Sequence, residues 1–318
     1  MKIGLIDVDG HHFPNLALMK ISAWHKARGD HAEWWDGFMQ YDCVYMSRVF
    51  DDTYSADEPE PVNACEIIKG GTGYGLKNRL PDAVEHMMPD YGLYGIKDTA
   101  YGFLTRGCPR GCGFCIVQQK EGSESVQVAD LSEFWREQKQ IKLLDPNLMA
   151  CRDRMKLLQQ LAASGAWVDF TQGLDVRLVT DETAQLLSRI RIKEIHFAWD
   201  SVNDEELVLR GLKVYARYAA RKPHGHFGTV YVLTNYGSTH EQDLYRIYAL
   251  RALNYEPYVM VYDKPHAPRK TLELQRWCNN RIIFHAEPDF SRYCARAGLA
   301  KAMAEQWGGI CSEVTWHE

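Results

Sequence analysis

The N-terminal part of the chain alternates short apolar runs with glycines, acids and prolines, a pattern typical of strands separated by turns. An apolar run over residues 2–7 predicts a first strand, and apolar residues at helical spacing over 14–28 predict a helix that ends at Gly29. Three further strands are predicted over residues 31–35, 43–49 and 66–69. This strand–helix–strand pattern predicts a small Rossmann-like layer, and residues 76–99 are expected to form an extended connection.

From residue 101 onward, apolar strand-like runs alternate with mostly helical segments. The predicted strands span residues 101–106, 141–145, 167–171, 194–200, 228–234 and 257–263. Asp130, Asn203 and Ser238 are each followed three residues later by Glu, the spacing of a capping box at a helix start, and Gly165 is typical of a helix end. Successive strand–helix units of this kind predict a parallel sheet that is curled into most of a barrel.

The predicted fold class is therefore α/β, a partial (β/α)6 barrel with a small N-terminal Rossmann-like layer. The expected domains are 1–99 for the truncated Rossmann-like layer and its connection, 100–265 for the partial barrel, and 266–318 for a C-terminal helical extension. The extension includes a helix predicted over 295–307. The glycine-rich segment GGTGYG at 70–75 is interpreted either as a turn or as a weak phosphate-binding signal.

Composition narrows the class of protein. The 318 residues are 46% hydrophobic and 25% charged, as in ordinary globular proteins. No uncharged apolar run reaches about 18 residues, so no membrane span is expected. The opening segment MKIGLIDVDG has acids where a signal peptide needs apolar residues, which favours a cytoplasmic protein with reduced thiols. The nine cysteines are unevenly spaced, which argues against a disulfide framework and favours a metal or redox role for some of them.

The formal net charge of −5 is unevenly distributed along the chain. Residues 1–100 contain 9 Lys and Arg against 16 Asp and Glu, whereas residues 101–318 contain 28 against 26. The acidic first third is not expected to bind phosphates broadly. No basic block by itself indicates a nucleic-acid-binding protein.

The segment LTRGCPRGCGFCI at 104–116 places Cys108, Cys112 and Cys115 directly after the first predicted barrel strand. Three thiolates at this spacing can ligate three irons of a [4Fe–4S] cluster, and the intervening glycines let the backbone approach the sulfurs. Zinc is the chemical alternative. A structural zinc ion takes four ligands, commonly in two pairs, and the sequence has no second C-x2-C or H-x3-H pair. Three buried cysteines without a ligand are the remaining, purely structural alternative.

The stretch RGCPRGCGFC resembles the signature of the radical S-adenosylmethionine (SAM) enzymes, in which an aromatic residue, here Phe114, precedes the last cysteine. The resemblance extends over residues 100–265 through the order of strands and helices. It implies a [4Fe–4S] cluster held by Cys108, Cys112 and Cys115, with SAM bound to the fourth iron and cleaved reductively to methionine and a 5′-deoxyadenosyl radical. It also implies a partner that supplies electrons, such as a flavodoxin or a ferredoxin.

The same resemblance implies cofactor-binding or substrate-binding groups at the carboxyl ends of the barrel strands, the face at which barrels do chemistry. Polar residues follow four strands, in LLDPN, TQGLDVR, HFAWDS and VLTNYGS, and LLDPN does not match the Gly-Gly-Glu that relatives often have there. The predicted cofactor-binding residues are Phe114, Asp145, Asn147, Gln172, Asp175, Arg177, Asp200, Ser201, Thr234 and Asn235. Each polar residue alone is equally typical of a cap or turn, and no catalytic residue is assigned.

The N-terminal segments LIDVDGHHFPNLALMK and EIIKGGTGYG resemble the truncated domain that precedes the barrel in cobalamin-dependent relatives. Cobalamin is therefore a further candidate cofactor. His11 and His12 do not fit the D-x-H-x-x-G spacing of a lower cobalamin ligand, and residues 1–99 are few for a domain that holds a corrin. Cys43 and Cys65 are too few for the N-terminal cluster of the methylthiolating relatives, which argues against methylthiolation.

The resemblance leaves the reaction open. Hydrogen abstraction with rearrangement or oxidation, cobalamin-dependent methylation, and modification of a peptide or RNA rather than a small molecule are all compatible with these residues. The alternative outside this class is a non-catalytic iron–sulfur or zinc protein that binds a partner.

Overall fold

The computed structural model describes residues 1–10, 13–220 and 225–293. The chain divides into two compact units, Met1–Ile195 and His196–Glu318, and both contain helices and parallel strands. The predicted α/β class is therefore confirmed. Among the described residues, no helix combines the length and the apolar character that a membrane-spanning segment requires.

The first unit opens with β1 (Lys2–Asp7), α1 (Leu16–Ala27), β2 (His31–Trp34), β3 (Tyr41–Ser47) and β4 (Ala64–Gly70). The strands pair in parallel in the order β2-β1-β3-β4, and apolar side chains of α1 and β1 share one core cluster. The strand–helix–strand prediction is thus confirmed to within a few residues, because short apolar runs between turn residues mark buried parallel strands.

The connection predicted to be extended contains two short helical turns, α2 (Asp82–Glu85) and a 3-10 turn at Tyr91–Tyr94. This prediction was wrong because two tyrosines anchor the segment. The Tyr94 hydroxyl donates to the Asp7 carboxylate (2.6 Å), and the Tyr91 hydroxyl donates to the Phe134 carbonyl (2.6 Å). Burial raises the pKa of both hydroxyls, so they remain donors to these partners.

The first unit continues with β5 (Thr99–Gly102), β6 (Thr105–Arg106), α3 (Val117–Glu121), β7 (Val126–Gln127), β8 (Gln140–Leu143), α4 (Arg154–Ser164), β9 (Trp167–Phe170), α5 (Asp181–Leu187) and the start of β10 (Arg191–Ala198). Within this unit β5, β8, β9 and β10 pair in parallel in that order. β6 and β7 form a separate antiparallel ribbon, which the sequence did not predict.

The second unit begins within β10 and contains β11 (Thr229–Thr234), β12 (Glu256–Val261) and the helices α6 (Glu205–Tyr218), α7 (His240–Ala252), α8 (Arg269–Asn279) and α9 (Arg281–Ala286). β11 pairs in parallel with the end of β10 and with β12. Five of the six predicted barrel strands are thus present, whereas the strand predicted over 101–106 is divided between β5 and the ribbon strand β6. The closure of the strands into a partial barrel and the three domain boundaries stay predictions. The helix predicted over 295–307 lies outside the described residues.

The helix start predicted at Asp130 and the helix end predicted at Gly165 differ in outcome. Asp130 and Glu133 form the predicted capping box, but it begins a 3-10 turn at Leu131–Glu133 and not an α-helix. A capping box satisfies only the first orphan amides and does not determine how far a helix continues. Gly165 ends α4 as predicted, with a left-handed φ of 66°.

Two predicted helix starts are displaced. The capping box of α7 is formed by Thr239 and Gln242, one residue later than predicted, because the Ser238 hydroxyl donates to Asp243 instead (2.7 Å). The start predicted at Asn203 is also wrong. A 3-10 turn occupies that position, and α6 begins after it without a side-chain cap.

Candidate functional site

An antiparallel ribbon fixes the base of the loop that carries the clustered cysteines. β6 pairs with β7, and the Cys108 amide donates to the Gly122 carbonyl (3.2 Å). Gly107 has a φ of +83°, and a Cβ there would lie 2.0 Å from the Glu124 carbonyl oxygen. Only glycine fits this close approach, so the ribbon requires the glycine before the first cysteine.

Glu121, which no motif singles out, ties the end of α3 to β6. Its carboxylate accepts hydrogen bonds from Arg106 Nη1 (2.9 Å) and from the Gly107 amide (3.3 Å). Its side chain is 7% exposed, which makes the ion pair with Arg106 a partly buried one. Arg106 and Gly107 lie 15 and 14 residues from Glu121 along the chain. Because only the ribbon brings these residues together, no spacing in the sequence predicts the contacts.

Cys108, Cys112 and Cys115 lie half-buried on this loop, and none is in a disulfide. The Cys115 amide donates to the Cys112 carbonyl (3.0 Å), which places these two residues in one turn, and Phe114 is half-buried between them. Cys43 differs, because burial raises the pKa of its thiol to about 11 and disfavours the thiolate that binds metals.

The donor set of the loop fits the predicted [4Fe–4S] cluster in its chemistry, since thiolates bind such clusters one to each iron. Among the described residues, no three His, Cys, Asp or Glu side chains are arranged as ligands of one metal ion.

Asp145 lies at the end of β8 and holds the chain that leads to the cysteine loop. Its buried carboxylate accepts from the amides of Leu104 (3.2 Å) and Thr105 (2.5 Å) and from the Thr105 hydroxyl (2.7 Å). Burial raises the pKa of Asp145 to about 6, although these three donors favour the ionised form. Asp145 stays a predicted cofactor-binding residue, and in the structure its carboxylate contacts Leu104 and Thr105.

Asn147 brings three of the predicted site residues together. Its Nδ2 donates to Cys108 Sγ (3.4 Å) and to Asp175 Oδ2 (3.3 Å), while its Oδ1 accepts from the Ala150 amide (3.1 Å). The side chain is buried, and the main-chain carbonyl of Asn147 accepts from the Ser125 hydroxyl (2.7 Å). The cysteine loop, the end of β8 and the turn after β9 are therefore joined through one amide.

Asp175 and Arg177 form an ion pair in the turn after β9. The Asp175 carboxylate accepts from Arg177 Nε (2.7 Å) and Nη2 (3.1 Å), and its Oδ1 also caps the following 3-10 turn. Both side chains are nearly buried. Gln172, predicted for the same strand end, is exposed.

The remaining predicted residues belong to the second unit and are described separately. Ser201 Oγ accepts from the Asn203 amide (3.2 Å), and Asp200 beside it is half-buried. Thr234 is fully buried and donates to the Met260 carbonyl (3.2 Å), so its hydroxyl serves the pairing of β11 with β12. Asn235 has a left-handed φ of 61° and donates from Nδ2 to the Tyr262 carbonyl (2.8 Å).

No model of a protein family matches the chain, and no curated protein matches it. His11 and His12, considered in connection with cobalamin, lie outside the described residues.

The glycine-rich segment of the N-terminal layer is a closely packed turn. A Cβ on Gly71 would lie 2.2 Å from the Arg48 carbonyl oxygen, and a Cβ on Gly73 would lie 2.2 Å from that of Phe50. The chain at 48–50 thus fills the space beside two of the four glycines. Close backbone approach explains these two residues without a bound phosphate.

A buried arginine in the second unit was missed. The Arg246 guanidinium donates to the Trp199 carbonyl (2.6 Å), the Leu233 carbonyl (2.7 Å) and the Asp243 carboxylate (2.6 Å). It holds the ends of β10 and β11 together next to the predicted polar residues. Arginines of helices are mostly exposed, so the sequence offers no signal for this one.

Proposed function

We propose that this protein is a radical SAM enzyme, with Cys108, Cys112 and Cys115 as the ligands of a [4Fe–4S] cluster. The observation that supports the proposal is the hydrogen-bond link through Asn147, which joins a cysteine of the motif to the polar end of a neighbouring strand. When bound, the cluster and SAM would supply one-electron chemistry, the reductive cleavage of SAM to methionine and a 5′-deoxyadenosyl radical.

The role of Asn147 in this proposal is to stabilise negative charge on a ligand sulfur. Asn147 donates one hydrogen bond to the Cys108 sulfur, and hydrogen bonds to the sulfurs are among the factors that set the reduction potential of a cluster. The orientation of the amide follows from its partners, because Oδ1 accepts from the Ala150 amide and Nδ2 must therefore face Cys108 and Asp175.

Two carboxylates act as positioning residues. Asp145 holds the backbone of residues 104–105 immediately before the motif, so it fixes where the cysteine loop begins. Asp175 holds the Arg177 guanidinium from two of its nitrogens. A guanidinium fixed in this way has a defined orientation for a carboxylate, such as that of the methionine moiety of SAM.

The test is anaerobic reconstitution of the full chain with iron and sulfide, followed by reduction with dithionite in the presence of SAM. We expect about four irons and about four sulfides per chain, and 5′-deoxyadenosine as a product that liquid chromatography and mass spectrometry detect. Cys112→Ala is expected to lose the product and most of the iron.

Cys65→Ala is the matched control, because Cys65 is an exposed thiol on β4 away from the motif. It should retain both iron and product. A wild-type protein that binds one zinc ion, takes up no cluster and forms no 5′-deoxyadenosine would contradict the proposal and leave a non-catalytic metal-binding protein.

A further inference from the structure

Four strands of the first unit bring one residue each into a single row. In the parallel pairing, Tyr101 of β5 lies beside Lys142 of β8, Lys142 beside Asp169 of β9, and Asp169 beside Glu194 of β10. Residues in register on neighbouring strands point to the same face of a sheet. The row therefore places a phenol, an amine and two carboxylates side by side on one face.

The alternate residues of these strands face the other side, which is apolar and fully covered. Its buried side chains are those of Ile141, Leu143, Val168, Phe170 and Ile195. Parallel strands that are covered by apolar layers on both faces are typically apolar on both. The polar row departs from that pattern, so its face is not a second hydrophobic core.

A β-bulge brings Glu194 into the row. The register of β10 against β9 shifts between Ile192 and Glu194, which makes Lys193 the additional residue. Without the bulge, Lys193 would lie beside Asp169. The bulge thus changes which side chain lies beside Asp169, and β-bulges near functional sites often change side-chain direction in this manner.

Asp169 is buried and has an acceptor atom that no described residue uses. The residue is 7% exposed, and within the described chain its Oδ1 has no hydrogen-bond partner, while its Oδ2 lies 3.7 Å from Lys142 Nζ. The hydroxyl of Thr171, directly after β9, is likewise buried without a partner among the described residues. A buried carboxylate oxygen without a donor is destabilising, and a donor from a ligand would remove that penalty.

Aromatic surface borders one end of the row. The rings of Phe13 and Tyr101 meet edge to face with centroids 5.5 Å apart, and Lys142 Nζ lies 5.8 Å and 6.0 Å from their centres. Phe13 is 47% exposed. Apolar contact area for the rest of a ligand is therefore available next to the charged groups.

We propose that this face is the substrate subsite of the enzyme proposed above, and that it takes a substrate with a protonated amine or a guanidinium. The inference rests on the proposed function and deepens it by naming the chemical class of the substrate. The cation donates to Asp169 Oδ1 and to Thr171 Oγ1. The Oδ1 of buried Asp169, which accepts no hydrogen bond from a described residue, favours a cation over an anion, and a cationic donor makes the stronger hydrogen bond to a carboxylate.

The test is saturation-transfer NMR on the reconstituted full chain, with n-butylammonium, n-butylguanidinium, n-butanol and butyrate as probes at equal concentration. The two cations should bind at least about tenfold more tightly than the alcohol and the anion. Asp169→Asn should abolish this preference and Thr171→Val should weaken it. Asp153→Asn, which changes an exposed carboxylate without a side-chain capping bond, should keep it.

Equal binding of the four probes, or a cation preference that survives in Asp169→Asn, would overturn the inference. Thr171→Val is nearly isosteric and decides the case if Asp169→Asn does not fold. Formation of 5′-deoxyadenosine by the wild type, measured without any probe, reports the proposed function separately. If the wild type forms 5′-deoxyadenosine but shows no preference for the cationic probes, only the substrate subsite is rejected. If it prefers the cationic probes but forms no 5′-deoxyadenosine, the proposed enzyme is rejected, and with it the assignment of its substrate.

Discussion

Asn147 is the single residue whose side-chain amide joins the cysteine loop to the ends of two neighbouring strands. The segment LLDPN identified it as a polar residue at a strand end, but it did not indicate that both ends of its amide would be used. Cys108, its sulfur partner, lies 39 residues away along the chain. The motif alone predicted the cysteines as ligands, whereas the Asn147 contact depends on where two separate strands end and therefore required the structure.

Asp145 leads to a prediction about pH. Burial raises its pKa from 3.8 to about 6, so the native state holds the proton more tightly than the unfolded chain does. The resulting stabilisation is complete below about pH 4 and is lost as the pH rises through about 6, by up to about 3 kcal/mol. In urea unfolding between pH 4 and pH 7, the free energy of unfolding should fall more steeply for wild type than for Asp145→Asn.

The matched control for that experiment is Asp153→Asn, which alters an exposed carboxylate of the same unit. Its pH dependence should follow the wild type. Parallel pH profiles for wild type and Asp145→Asn would show that the buried carboxylate does not titrate in this range.

At the scale of elements, the strands were predicted well and the helix starts less well. The run over residues 2–7 coincides with β1, because an apolar stretch bounded by turn residues has few alternatives. Ser238 and Thr239 are adjacent, and both have a suitable side chain three residues later. Asp243 determines which hydroxyl caps α7. It accepts a hydrogen bond from the Ser238 hydroxyl, and Thr239 therefore forms the cap. Spacing rules cannot resolve such a choice between neighbours.

The ribbon of β6 and β7 is tested by Gly107→Ala. The added Cβ would meet the Glu124 carbonyl oxygen at 2.0 Å in a backbone with φ +83°, so the ribbon has to open at the base of the cysteine loop. We expect the variant to fold and to lose most of its iron after reconstitution, as measured by iron analysis and absorption spectroscopy.

Gly95→Ala is the control that separates the effect of the steric clash at Gly107 from the effect of a positive φ alone. Gly95 also has a positive φ (+65°), but a Cβ there meets nothing within 4 Å. This variant should cost about 1 kcal/mol of stability and bind iron as the wild type does. If Gly107→Ala binds as much iron as the wild type, the cysteine loop does not need the pairing of β6 with β7 in order to bind metal.

At the scale of the whole molecule, the sequence predicted the strands of the two parallel sheets, but it predicted neither the antiparallel ribbon of β6 and β7 nor the polar face that the strand register creates. Tyr101, Lys142 and Asp169 lie in separate segments, and each looks unremarkable within its own apolar run. They form a polar face only through the register of three strands and the bulge beside the fourth. Register arises from the packing of the complete sheet, so no local pattern predicts it.

Within the first unit, the connection before β5 is part of the folded structure, and Tyr91→Phe tests this. The Tyr91 hydroxyl accepts from the Tyr101 amide (3.0 Å) and donates to the Phe134 carbonyl (2.6 Å). The variant leaves two buried backbone groups without this partner, which should lower the free energy of unfolding by about 1–3 kcal/mol in urea titrations.

Tyr54→Phe is the control for this prediction, because Tyr54 is 77% exposed and its loss of a hydroxyl should change stability by less than about 0.5 kcal/mol. Equal effects of the two substitutions would indicate that residues 76–99 behave as a linker and not as an anchored segment.

The closed base of the cysteine loop also has a kinetic consequence. Cys108 follows the ribbon directly and already contacts Asn147, whereas Cys112 and Cys115 lie farther out on the loop. If the proposed cluster binds here, an iron held at Cys108 would leave the other two thiols only short segments of chain to close, and short closures are entropically cheap. The proposed enzyme is therefore expected to assemble its cluster outward from the ribbon, beginning at Cys108.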